Sequence, residues 1–129
     1  MLRGVLDDRR VGRPGPSRAT VRRMESFFSV DDIRKRMKGP IPYAEFLRIA
    51  PMSCGIYVLK ADEEDKQSPH NEDEIYFVIS GAARAKVGAE DRPIKTGDII
   101  FAAAHEEHHF HSITEELVLL VVFAPAMTR

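Results

Sequence analysis

The chain has 129 residues, enough for one domain and too few for two, and 43% of them are hydrophobic, so a real core is possible. A formal net charge of −1 removes the electrostatic argument for nucleic acid or an anionic membrane surface as partner. No apolar run approaches the roughly 20 residues that span a bilayer, and a single cysteine, Cys54, excludes an internal disulfide and a cysteine-rich zinc site.

Residues 1–23 carry seven arginines and no lysine, interrupted by Gly12, Pro14, Gly15 and Pro16. They lack an apolar h-region, and Asp7 and Asp8 argue against a mitochondrial transit segment, so they read as a disordered basic leader. Met24 is an alternative start, and the folded domain is expected over 24–129. A short helix follows, capped by Ser29, with Asp31 and Asp32 in its first turn, Lys35, Arg36 and Lys38 near its end, and Gly39-Pro40 as its stop. Ile33, Met37, Phe46 and Leu47 are expected to lie against the core.

From about Ile41 the pattern changes to short strands at Cys54–Leu59, Ile75–Ile79, Ala83–Val87, Ile99–Ala102 and Leu117–Phe123. Turns are expected at Gly81, Gly88–Asp91, Thr96-Gly97-Asp98 and Thr114-Glu115-Glu116. Strands at about ten-residue spacing with such punctuation predict an all-β sandwich or barrel. Cys54 reads as a small buried hydrophobe, and a lone thiol fits a reducing, cytoplasmic compartment.

Chemistry concentrates around five histidines. His70 leads an acidic run, His70-Asn71-Glu72-Asp73-Glu74, into a strand; His105, His108, His109 and His111 fall within seven residues. Side chains alternate faces on an extended chain, so His70, Glu72 and Glu74 share a face with Tyr76 and Val78. His108 and Phe110 oppose His109 and His111, and one of the two pairs must point inward. Neutral imidazole and carboxylate converging from different strands make a metal site if the sheet closes. A competing reading is His105-Glu106-Glu107-His108-His109, which fits the zinc-protease pattern H-E-x-x-H; it requires a helix at a place where the flanking sequence is strand-like.

These residues resemble the cupin superfamily, whose first motif is in outline G-x5-H-x-H-x(3,4)-E-x6-G. Glu74, six residues and Gly81 fit its second half, and His70 stands at the second motif histidine. Pro93, Gly97-Asp98 and His108-His109-Phe110 are similar to the second motif. Gln67, Pro69, His70, Glu72, Asp73 and Glu74 match a subset of small single-domain cupins with a Gln-x-Pro-His-x-Glu-Asp-Glu first motif. The resemblance covers roughly residues 50–125. It implies a double-stranded β-helix, a jelly-roll barrel, with a short N-terminal helix, and one divalent ion (Fe, Mn, Ni or Zn) held by His70, Glu74 and His108.

The departures from the family pattern are specific. Ser68 replaces the first motif histidine, and Ala103 and His105 stand where a proline and a glycine are usual. Gln67 or Ser68 is then a source of a further neutral oxygen, a water being the alternative, and His105 is an additional ligand, a proton shuttle or a surface residue. Tyr57, Tyr76, Arg84 and Lys86 are candidates for the pocket mouth, with Arg84 suited to a carboxylate on the ligand. The function implied is a metal-dependent oxygenase, isomerase or lyase acting on a small polar or carboxylated molecule; the alternative is a non-catalytic metal- or ligand-binding module. A homodimer is expected from the same resemblance.

Overall fold

Ser29 Oγ accepts a hydrogen bond from the Asp32 amide at 3.3 Å and starts α1 (Val30–Arg36) in the computed structural model, which describes residues 25–128. Acidic residues sit at the positive end of the helix and basic ones at the other. The leader expected over 1–23 lies outside the described residues.

Six strands follow: β1 (Tyr43–Ile49), β2 (Met52–Leu59), β3 (Asp73–Val87), β4 (Glu90–Lys95), β5 (Ile99–Ala102) and β6 (His108–Ala124). All pair antiparallel, in the order β1-β2-β6-β3-β4, with β5 on the free side of the first half of β3. The two long strands build the barrel. Residues 73–80 of β3 pair with 118–124 of β6, in a layer with β2, β1 and β5, and residues 82–87 pair with 108–115, in a layer with β4. This is the expected double-stranded β-helix with a short N-terminal helix.

Two turns expected from sequence are absent. Gly81 does not separate two strands; it bends one, where the register of β3 against β6 shifts. Its φ of +108° is left-handed, and a Cβ there would collide with the Glu116 carbonyl oxygen and approach the Leu117 Cα to 2.8 Å. Thr114-Glu115-Glu116 likewise lies inside β6 rather than in a turn, and Ser112, at φ +52°, takes the bend on that side. Ile75–Ile79 and Ala83–Val87 are thus two halves of one strand, and Leu117–Phe123 is the second half of another. Burial of alternate residues on both halves holds the layers together.

The main core lies between the layers and includes Leu59, Val78, Ile113, Leu117 and Leu119. A second cluster, Ile33, Ile56 and Val118 with Met37 and Phe46 against it, sits under α1 on the outer face. Elsewhere on the outer face Ile75 pairs with Phe101 and Phe77 with Ile99, and all four are exposed among the described residues. Cys54 is buried, as expected, and burial pushes its thiol up.

Candidate metal centre

The register places the first residues of β3 and β6 at one end of the barrel, and the site is assembled there. Glu74, Tyr76 and Val78 alternate inward from β3, and His108 and Phe110 inward from β6. His70 arrives from the loop before β3. Its carbonyl accepts from the His105 amide at 2.7 Å, and Asp73 Oδ1 accepts from the Ala104 amide at 2.9 Å, so two hydrogen bonds tie the loops that carry the two histidine segments.

One imidazole nitrogen from each of His70 and His108 and one Glu74 oxygen all lie within 4.8 Å of one another. His108 Nε2 stands 3.0 Å from Glu74 Oε1, and His70 Nε2 3.9 Å from the same oxygen. Glu74 is 2% exposed and His108 6%. Despite the short distance, Nε2 and Oε1 do not meet along a hydrogen-bond direction, and each is buried without another partner among the described residues. Leaving two such atoms unpaired is costly, and a cation taken up between them removes the cost. The donor set fits an ion on this ground.

His108 is oriented for that role. A carbonyl can only accept, so the 2.8 Å contact with the Glu106 carbonyl puts the proton on Nδ1 and leaves the Nε2 lone pair facing Glu74. Burial pulls the imidazole toward its neutral form, but Glu74 and the Glu106 carbonyl more than offset this, and the net shift is upward.

The site opens into a cavity of about 220 Å³ lined by Tyr43, Tyr57, Gln67, His70, Glu74, Tyr76, Val121, Phe123 and Met127. The His70 ring stands edge-on to Phe123, with centroids 5.1 Å apart. The Tyr43 hydroxyl is buried with no partner among the described residues. Burial is the main cause holding the Tyr43, Tyr57 and Tyr76 phenols well above their ordinary value, with nearby carboxylates adding to it, so all three are proton donors at neutral pH.

The other sequence candidates separate cleanly. Gln67 and Tyr76 belong to the cavity, with Tyr76 donating to Gln67 Oε1 at 3.0 Å. Ser68 is exposed. His105 is exposed too and contributes only its backbone; its φ of +68° explains why a glycine is usual there. Arg84 is not at the pocket mouth: its neighbours Ala83 and Ala85 point inward, and Arg84 reaches Asp91 at 3.0 Å on the outside. Lys86, on the same outer face, donates to the Gly88 carbonyl. Glu72, expected beside His70 and Glu74, is buried elsewhere, accepting from the amide and hydroxyl of Thr128. The zinc-protease reading fails because residues 105–107 form a turn and a connection instead of a helix, and His109 points outward. Sequence reasoning missed Tyr43, Met127 and Asp65. Asp65 sits in a charge-rich stretch that reads as solvated loop, yet it is buried.

A jelly-roll barrel with clustered histidines and a glutamate at one end defines a class, and the comparisons agree. The cupin domain model matches residues 55–123, more than half of the chain, so this protein belongs to the cupin family. An uncharacterized protein of Streptomyces coelicolor is 41% identical over 99 residues, 76% of this chain and 94% of its own. Among solved structures, KdgF from a Halomonas species has a TM-score of 0.67 at 17% identity, covering 78% of this chain and 94% of that one. A double-stranded β-helix protein of Klebsiella pneumoniae also has a TM-score of 0.67, at 22% identity, with 81% and 98% covered. No helix among the described residues is long and apolar enough to cross a membrane.

Proposed function

We propose that this cupin is a metal-dependent enzyme for a small polar molecule, with one divalent ion held by His70, Glu74 and His108. The observation that carries the reading is the pair of buried ligand atoms, Glu74 Oε1 and His108 Nε2, each without a hydrogen-bond partner among the described residues, beside a cavity that Glu74 and His70 line. Two imidazoles and a carboxylate suit iron, manganese, nickel or zinc. A bound ion supplies Lewis-acid polarisation and, if redox-active, electrons, which is the chemistry of oxygenases, isomerases and lyases.

The chain's own contribution is selection and proton supply. A volume of about 220 Å³ lies below the ~300–1,000 Å³ of ordinary ligand pockets, so the ligand is small. Among the described residues the cavity lining holds no arginine or lysine, so a carboxylate on the ligand would meet the ion rather than a guanidinium. Tyr43, whose hydroxyl has no partner among the described residues, offers a donor for a ligand oxygen, and Val121, Phe123 and Met127 give the cavity apolar walls. The homodimer belongs to the same proposal: the exposed Ile75, Phe77, Ile99 and Phe101 rows support it, and sedimentation velocity on Phe101→Asp tests it.

Turnover by metal-reconstituted protein on a panel of small hydroxy, keto and carboxylic acids tests the enzyme. Expected is activity that Glu74→Gln abolishes and Glu106→Gln leaves intact. Metal binding without turnover on any compound would contradict the enzyme reading in favour of a binding module.

A further inference from the structure

Asp65 is buried, 9% exposed, and each of its hydrogen bonds among the described residues is with a donor. Its Oδ1 accepts from the Tyr57 hydroxyl at 2.5 Å and the Gln67 amide at 3.4 Å. Its Oδ2 accepts from the Phe110 amide at 2.8 Å and from Gln67 Nε2 at 2.7 Å. Backbone N–H groups cannot accept, so the carboxylate is committed as an acceptor, and only the NH2 end of the Gln67 carboxamide can face it.

That commitment fixes the other end. Gln67 Oε1 is turned toward the site, where it accepts from Tyr76 at 3.0 Å and lies 3.3 Å from His70 Nε2. A phenol can donate or accept, so Tyr76 alone would tolerate either orientation of the amide. We propose that Asp65 is a positioning residue that locks Gln67 so that its Oε1, and not its NH2, forms a fourth, neutral oxygen donor of the metal centre. Gln67 adjoins Ser68, the exposed residue at the place of the first motif histidine. The inference rests on the metal reading above.

The test is titration of Co2+ into the full-length parent, Asp65→Asn, Gln67→Glu and the double variant, with affinity and visible absorption bands read together. A new amide at position 65 can donate to Gln67 Oε1 and draw that oxygen away from the ion. Asp65→Asn is therefore expected to weaken Co2+ binding about 10- to 100-fold and to shift the bands. Adding Gln67→Glu supplies a carboxylate that accepts from the new amide while presenting its other oxygen to the ion. The gain from Gln67→Glu is expected to be at least about tenfold larger in the Asp65→Asn background than in the parent, a coupling that general loosening of the fold does not produce. Should Asp65→Asn fail to fold, Gln67→Leu removes the same oxygen without touching Asp65 and is expected to show the same loss and band shift. Parent-like affinity and bands in Asp65→Asn and Gln67→Leu, or equal gains in both backgrounds, would overturn the proposal. A parent that takes up no Co2+ overturns the metal centre itself, which is a separate failure.

Discussion

His108 and His109 are neighbours in sequence with opposite fates. His108 is buried beside Glu74, with its free nitrogen facing a carboxylate oxygen. His109 is on the outer face of β6, its ring 5.4 Å from that of His111, and His111 is paired with Asp91 at 2.9 Å. The outer cluster is the richer in charge, since Arg84 joins it, but it lies where water can solvate each group and an ion pair is worth little. The inner cluster has fewer groups, and two of them, Glu74 and His108, are buried. Histidine count is therefore a poor guide to a site; the face of the strand decides.

The largest effect that bears on this contrast is expected from Glu74→Gln and His108→Ala, each removing a donor. Metal affinity should fall by more than the 10–100-fold typical of outer-sphere changes, while His109→Ala and His111→Ala leave it unchanged in calorimetric titration. The next concerns the bend that sorts the two faces. Gly81→Ala forces a side chain into left-handed backbone and against the Glu116 carbonyl, and it should lower stability in urea unfolding by at least about 1–3 kcal/mol. Gly97→Ala, also at positive φ but facing open space, should cost less.

Acidity gives a third, graded effect. His108 is shifted upward in the metal-free fold, so its protonated form adds stability that is fully present below the ordinary value of 6.5 and is lost as pH rises through the raised folded value. Metal requires the neutral ring, so affinity should fall as pH drops through that same raised value. Thermal melts with and without metal should therefore diverge as pH rises, and His109→Ala should not alter the divergence. The smallest effect belongs to the outer cluster: Arg84→Ala should leave the melting temperature unchanged within error, although Arg84 and His111 together outweigh burial and hold the Asp91 carboxyl below its usual range.

Much of this was legible in the sequence because it depends on period two. The alternation through Glu74, Tyr76 and Val78, and through His108 and Phe110, needs only an extended chain. The helix was legible from Ser29 and its charges. What was not legible depends on contacts across the barrel. Gly81 and Thr114–Glu116 have turn composition, yet they bend two strands long enough to serve both layers. β4, Glu90–Lys95, buries only Ile94 and so carries no alternating pattern. Tyr43 and Met127 reach the cavity from the two ends of the domain, and Asp65 is buried only because the Phe110 and Gln67 amides and the Tyr57 hydroxyl close around it.

Elemental mass spectrometry of untagged parent protein beside His70→Ala, His108→Ala, His109→Ala and His111→Ala separates the inner cluster from the outer one. One transition-metal ion per chain is expected in the parent and in the two outer-face variants, and its loss is expected in His70→Ala and His108→Ala. No metal in the parent after reconstitution with iron, manganese, nickel and zinc, or equal retention in inner- and outer-face variants, would contradict the metal centre.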